Sequence, residues 1–384
     1  MNRLRPISRL QERVVMPRLT RPDVWLLAAV AGLLGLGIVM VLNVSYFQAG
    51  NRYGDPYLFF RKHLFSVAGG IVVMLIVSRI RLELLERWAA IMLPLCMVAL
   101  LLVLTPGIGV ERGGARRWIA MGGFSLQPSE FVKLGVVLFL ARWISQHRER
   151  MNSFTNGIIP ALAAVGACCA LIMGQPDFGT TVILGALALL MLYVGGARPL
   201  HIGGLVGLGM IGMVAAVQVA PYRMRRLLAF MDPFQHAQDS AFQLVQSLIA
   251  VGSGGVAGVG LGQSKQKMAF LPEAHTDFIF ALVGEELGLI GALLVLVLFA
   301  VVAVRGFRVA ARHPDSFASL LAFGLTAVLI LSAVVNIGVV LGLLPTKGLP
   351  LPFVSAGGSS LLINLVGMGI LLNVSQHASG VHER

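Results

Sequence analysis

The chain has 384 residues, 57% of them hydrophobic and 12% charged, with a mean hydropathy of +0.84. About a quarter of the residues in soluble domains are charged, so this composition excludes a soluble enzyme and leaves no stretch for a sizeable soluble domain. The formal charge of +13 does not point to nucleic acid, because the Lys and Arg residues are scattered over short loops between apolar runs, the pattern that encodes membrane topology.

Residues 1–23 form a basic tail with Arg3, Arg5, Arg9, Arg13, Arg18 and Arg21. The apolar run that follows is long enough to cross a bilayer and lacks a small-residue cleavage site, so it reads as a retained first helix. Apolar segments then fall at about 24–43, 63–79, 88–105, 128–145, 155–173, 178–196, 200–220, 278–304, 317–343 and 356–374. The chain is therefore predicted to be an all-α integral membrane protein: about ten transmembrane helices in one polytopic domain over 24–374, followed by a short tail at 375–384. Cys96, Cys168 and Cys169 all sit inside apolar runs and read as small core residues, with no disulfide framework or metal site.

The Arg-rich N-terminus is expected in the cytoplasm, and ten crossings return the C-terminus there. The loops with Arg79, Arg81 and Arg87, with Arg142, Arg148 and Arg150, and with Arg305, Arg308 and Arg312 are then cytoplasmic too. Segments at about 44–61, 106–127, 174–177, 221–277 and 344–355 fall outside, the largest lying between the seventh and eighth helices. Outer loops are normally poor in cations, yet these carry Arg112, Arg116, Arg117, Arg223, Arg225, Arg226, Lys265, Lys267 and Lys347. Such charges suit a lipid-linked phosphate or pyrophosphate, or alternatively anionic headgroups.

Pro128 suits the first turn of the fourth helix. Glu130 and Lys133, three residues apart, share one face there and neutralise each other, either as part of a site or merely to stitch helices together. Asp177 stands before Phe178-Gly179-Thr180 as a helix cap. Glycines from Gly252 to Gly262 contain GxGxxG patterns, but no strand precedes them and no dinucleotide domain fits. Asp277 stands at the outer mouth of the eighth helix beside His275. A carboxylate there suits a general base for a sugar hydroxyl, a ligand for a divalent cation such as Mg or Mn, or simply an anion at a helix N-terminus. Glu285 and Glu286 lie about 12 Å deeper along that helix, where they need partners or a wet cavity and serve either a proton relay or a structural ion pair. The Pro345–Ser360 segment resists regular helix, and its Gly-Gly-Ser-Ser exposes backbone N–H groups, either as a phosphate cradle or as a re-entrant turn.

Arg117-Trp118, Gln-Pro-Ser-Glu at 127–130, Gln-Pro-Asp at 175–177, the run from Lys265 to Phe280, Gly-Glu-Glu-Leu-Gly at 284–288 and Pro-Thr-Lys-Gly-Leu at 345–349 continuing to Ser360 together resemble the SEDS family (shape, elongation, division and sporulation). The likeness runs through essentially the whole chain and is to the division member rather than the elongation member. One departure is Ala356, where the family usually has Tyr.

The resemblance implies a peptidoglycan glycosyltransferase that polymerises lipid II at the outer face of the bacterial cytoplasmic membrane, at the division septum. Its implied partners are the class B penicillin-binding protein FtsI and other divisome membrane proteins. It assigns catalysis to Asp277 and substrate binding to Arg117, Glu130, Lys133, Asp177, Arg223, Lys267, His275, Lys347, Ser355 and Ser359, with Glu285 and Glu286 as buried ionisable groups. No cofactor is required, and a divalent cation on Asp277 is optional. The competing readings are a lipid II flippase, which needs polar groups along a whole path across the membrane, and a non-enzymatic division scaffold, in which the outer carboxylates are dispensable.

Overall fold

A computed structural model of the chain describes residues 22–378, apart from 113–114, 122–123, 240, 267–270 and 272–273. Among the described residues, eight helical spans are long and apolar enough to cross a membrane: α1 (Val24–Tyr53), α2 (Leu58–Val77), α3 (Leu82–Leu104), the span Phe154–Gly174 that ends in α5 (Ile159–Gly174), α7 (Pro199–Val219), α10 (Ile279–Arg312), α11 (Ser316–Val340) and α12 (Gly358–Ala378). Two more complete the ten expected, α4 (Pro128–Gln146), which carries Glu130, Lys133 and Arg142, and the shorter α6 (Phe178–Val194).

Local chemistry sets many of the ends. Asp23 accepts hydrogen bonds from the Trp25 and Leu26 amides at the start of α1 and pairs with Arg305 of α10 at 2.5 Å, which serves both the helix dipole and the fold. Asp315 caps α11 through the Ala318 amide, and proline opens α4. The expected loop at 44–61 is mostly helix. α1 outlasts its apolar run and stops at Gly54, whose φ of 72° is a conformation that glycine adopts without a Cβ penalty. α12 likewise continues through Ala378, past the 374 expected.

The outer segment expected at 106–127 is the one β feature among the described residues. Strands β1 (Gly109–Arg112), β2 (Ala115–Met121) and β3 (Phe124–Leu126) form an antiparallel sheet in the order β1-β2-β3. Ile119 pairs with Gly109 on one side and with Leu126 on the other. In sequence, Gly-Gly pairs at 113–114 and 122–123 separate the strands.

α11 and α12 are the most enclosed helices, whereas α7 has no buried residue and stands at the periphery. The segment at 221–277 contains α8 (Pro221–Met231), with Arg223, Arg225 and Arg226, and α9 (Phe242–Ser253). Beyond α9 the glycine-rich chain docks on α10 where Gly288 (φ 65°, ψ −159°) interrupts that helix. The amides of Val259 and Gly260 donate to the Glu285 and Glu286 carbonyls at 3.0 and 3.1 Å, and those of Leu289 and Ile290 donate to Gly255 and Val256 at 3.0 and 3.2 Å. The broken backbone is thus satisfied within the protein, as a membrane setting demands.

Candidate functional site

One end of the bundle gathers the sheet, the α5–α6 turn, the segment before α10 and the segment 341–357 before α12. Asp277 lies here, two residues before α10. Asn336, buried in α11, donates from Nδ2 to the Asp277 carbonyl at 2.8 Å and also to the Leu349 carbonyl, so it ties the Asp277 segment to the last loop. Gly348 backs onto the carboxylate: a Cβ there would lie 2.5 Å from Asp277 Oδ2. His275 stacks on Phe59 of α2 with ring centroids 4.9 Å apart, and its carbonyl accepts the Ala356 amide at 2.9 Å.

Lys347, next to Gly348, pairs with Asp177 Oδ1 at 3.4 Å. Asp177 is also the cap of α6: it accepts from the Thr180 amide at 3.2 Å and from the Thr180 hydroxyl at 2.8 Å. Burial works to raise the Asp177 pKa, but the Lys347 and Arg117 charges and the Thr180 hydrogen bonds outweigh it and hold the carboxyl below its ordinary value. Burial pulls the Lys347 ammonium down to about 8, against the support of Asp177 and with the help of the nearby Lys133 and Arg117 charges.

Arg117 projects from β2 and grips the turn before α6, Nε donating to the Gln175 carbonyl at 2.8 Å and Nη2 to the Pro176 carbonyl at 2.6 Å. In α4, Lys133 Nζ lies 2.8 Å from Glu130 Oε2, both side chains nearly inaccessible. At that depth the pair is bound to be internally neutralised. Arg223 lies over the Phe178 ring, 5.4 Å from its centroid, and donates to the Tyr222 hydroxyl and the Ala216 carbonyl. Asp277, Lys347, Asp177, Arg117, Lys133 and Glu130 are therefore drawn together from five separate stretches of the chain, with Arg223 at their margin.

The remaining predicted residues are placed differently. The Ser355 hydroxyl accepts the Leu351 amide at 2.9 Å and so shapes its own loop. Ser359 accepts from the Gln127 amide and donates to the Ser125 carbonyl, both at 3.0 Å, joining α12 to β3 and the start of α4. Both hydroxyls are occupied by the fold. Glu285 and Glu286 hold the glycine-rich chain: Glu285 accepts from the Lys265 amide at 3.0 Å and the Ser264 hydroxyl at 2.5 Å, and Glu286 from the Gly262 amide at 3.1 Å and from Asn43. Lys267 lies outside the described residues.

The sequence gives Asn336 and Gly348 no role in the site, although Asn336 is a carboxamide inside an apolar run and Gly348 belongs to the Pro-Thr-Lys-Gly-Leu run at 345–349. Phe353 in the same loop is fully buried with φ 65°, an uncommon conformation for a bulky residue. Its carbonyl lies 2.8 Å from where a Cβ on Gly37 would be, so α1 passes too close for any side chain there. Among the described residues no group of three His, Cys, Asp or Glu side chains is placed to hold a metal ion.

Residues 24–380 match the family described as cell cycle protein, FtsW/RodA/SpoVE. The chain is 41% identical over 359 residues to stage V sporulation protein E of Bacillus subtilis, covering 94% of this chain and 98% of that protein. It is 44% identical over 358 residues to the probable peptidoglycan glycosyltransferase FtsW of Nitrosococcus halophilus, covering 92% of each. Among solved structures it is similar to a chain of a peptidoglycan synthase complex in which polymerization and crosslinking are coordinated, with a TM-score of 0.76 and 29% identity over 93% of this chain and 98% of that one. The rod shape determining protein RodA of Thermus thermophilus matches with a TM-score of 0.65 and 26% identity over the same shares.

Proposed function

Because the chain belongs to the FtsW/RodA/SpoVE family of cell cycle proteins, we propose that it is a peptidoglycan glycosyltransferase of the bacterial membrane that polymerises lipid II into glycan strands. The observation that carries this reading is the Asp277 carboxylate packed against Gly348, with Lys347, Arg117 and Lys133 grouped beside it.

Asp277 takes the proton from the 4-hydroxyl of the acceptor GlcNAc as that oxygen bonds to the anomeric carbon of the donor MurNAc. The bond from that carbon to the phosphate oxygen breaks in the same step, and undecaprenyl pyrophosphate leaves with the electron pair. One displacement inverts the α-linked donor to a β-linked glycan, so one carboxylate suffices as base. Lys347 and Lys133 stabilise the charge that develops on the pyrophosphate. Asp177, Glu130 and Arg117 position them, Arg117 by holding the turn that carries Asp177. One carboxylate completes this displacement, and no step is assigned to a divalent cation.

The basic tail and the basic loops favour cytoplasmic termini and an outward-facing Asp277 end, which suits polymerisation of lipid II outside the membrane at the division septum. The likeness to a chain of a synthase complex supports a partnership with a class B penicillin-binding protein such as FtsI and with other membrane proteins of the division machinery. The test is polymerisation of fluorescent lipid II by purified protein with FtsI, wild type against Asp277→Ala, read as glycan ladders on a gel. Ladders from the wild type alone are expected. Ladders of equal intensity from both would remove Asp277 from the chemistry, and translocation of lipid II without any ladders would point to a transporter.

A further inference from the structure

Phe59, His63 and Ser66 follow one another at spacings of four and three residues and so share one face of α2. The first, Phe59, stacks on His275, and Ser66 Oγ lies 3.6 Å from where a Cβ on Gly358 would be. His63, between them, faces the space between His275 and the start of α12. It is only 4% exposed, and among the described residues neither of its ring nitrogens has a hydrogen-bond partner. A neutral imidazole brings one donor and one acceptor, and leaving both unmatched in a buried place costs stability. Further along the same face Val67, Gly70 and Met74 are buried, with Leu365 of α12 against Gly70, an apolar setting that an aliphatic side chain at 63 would suit as well.

Depth identifies what the ring awaits. His63 lies about 6 Å along α2 from Phe59, on the membrane side of His275 and Asp277. A lipid-linked sugar whose reacting hydroxyl and anomeric carbon meet Asp277 has its pyrophosphate next along, between the sugars and the isoprenoid chain. We propose that His63 is a further substrate-binding residue, its ring N–H donating to an oxygen of the lipid-linked pyrophosphate. The assignment rests on the glycosyltransferase reading above and adds a neutral donor at a membrane depth where another full charge would need a counter-ion.

The test uses full-length protein in detergent with undecaprenyl pyrophosphate as the binding probe and fluorescent lipid II as substrate. His63→Leu should unfold at a temperature no lower than the wild type, since an unmatched polar group gives way to an apolar one of similar size, yet bind undecaprenyl pyrophosphate about tenfold more weakly. His63→Gln, which keeps a donor, should recover most of that binding. Unchanged binding by His63→Leu, or activity lost in step with thermal stability, would overturn the assignment and leave the glycosyltransferase reading intact. A wild-type protein that neither binds the probe nor polymerises lipid II would remove both.

Discussion

The Lys347 ammonium lies 3.4 Å from the Asp177 carboxylate, so the segment that leads into α12 is fastened to the residue that caps α6. Two elements some 170 residues apart in the chain are thereby registered at the point where Gly348 meets Asp277. The pair is buried: burial lowers the Lys347 pKa, whereas neighbouring charges and hydrogen bonds, working against burial, lower that of Asp177.

This pairing sets a pH dependence. Lys347 titrates at about 8 in the fold, against an ordinary value of 10.5. Between those values the unfolded chain binds a proton that the folded chain does not, so the contribution of Lys347 to stability rises with pH over that window. Its catalytic contribution runs the other way, because the charge that faces the pyrophosphate is lost above about 8. Polymerisation by the wild type should decline as pH rises through that value while thermal stability does not. In a Lys347→Arg protein, whose guanidinium keeps its charge, the residual activity should lack the descending limb. Rates and melting temperatures measured in parallel from pH 6.5 to 9.5 on both proteins check this; a limb preserved in the variant would assign it to another group.

Gly179 offers a way to disturb the pair without removing a charge. A Cβ at this position in the first turn of α6 would overlap the end of the Lys347 side chain. The flexible ammonium has to leave Asp177, while the helix gains an alanine. Gly179→Ala should therefore reduce the polymerisation rate on the order of 10²-fold and also destabilise the fold by on the order of 2–4 kcal/mol, because the buried Asp177 carboxylate loses its counter-ion. A rate close to that of the wild type would mean that Lys347 acts from some other position.

Asp277 is open to a similar test through its neighbour. Gly348→Ala places a methyl group 2.5 Å from Oδ2, so the carboxylate is retained but displaced. Since general-base catalysis contributes about 10²–10⁴-fold and depends on geometry, most of that factor should be lost from kcat, with less effect on lipid II binding than on turnover. Equal losses in kcat/KM and in binding, with kcat unchanged, would instead describe a residue used for ground-state binding.

What could be read in the sequence is local. Ten apolar runs, Pro128 at a first turn, Asp177 as a cap and the Glu130–Lys133 spacing each follow from residues within a few positions of one another, and each is found in the structure. What escaped is contact between distant segments. The hydrogen bond from Asn336 to the Asp277 carbonyl crosses 59 positions, and the stacking of Phe59 on His275 joins the second crossing to the eighth. The exchange of backbone hydrogen bonds between 255–260 and 285–290 depends on Gly288 breaking a helix that periodicity alone runs straight through. Ser355 and Ser359 show the converse: a hydroxyl in a glycine-rich loop looks free to meet a phosphate until the backbone amides that use it are located.

Glu285 and Glu286 permit the sharpest separation of two readings that the sequence left open. Each carboxylate accepts from the docked chain, Glu285 from the Lys265 amide and the Ser264 hydroxyl and Glu286 from the Gly262 amide, and Glu286 also accepts from Asn43 of α1. Gln at 286 keeps an oxygen for both donors, and Gln at 285 keeps one for the amide while its NH2 donates to the serine oxygen, so both replacements preserve the clamp. A proton relay, by contrast, fails with either. If the carboxylates serve to hold the chain, Glu285→Gln and Glu286→Gln should polymerise lipid II within about threefold of the wild type, because a difference of about 0.6 kcal/mol corresponds to that factor. Glu286→Ala, which removes the carboxylate that the Gly262 amide and Asn43 donate to, should lose about 1–3 kcal/mol of stability. Thermal unfolding and glycan-ladder assays on the three variants decide it: inactive but stably folded Gln proteins would mean that these groups carry protons, and the docked chain would then have to be held by its backbone hydrogen bonds to α10 alone.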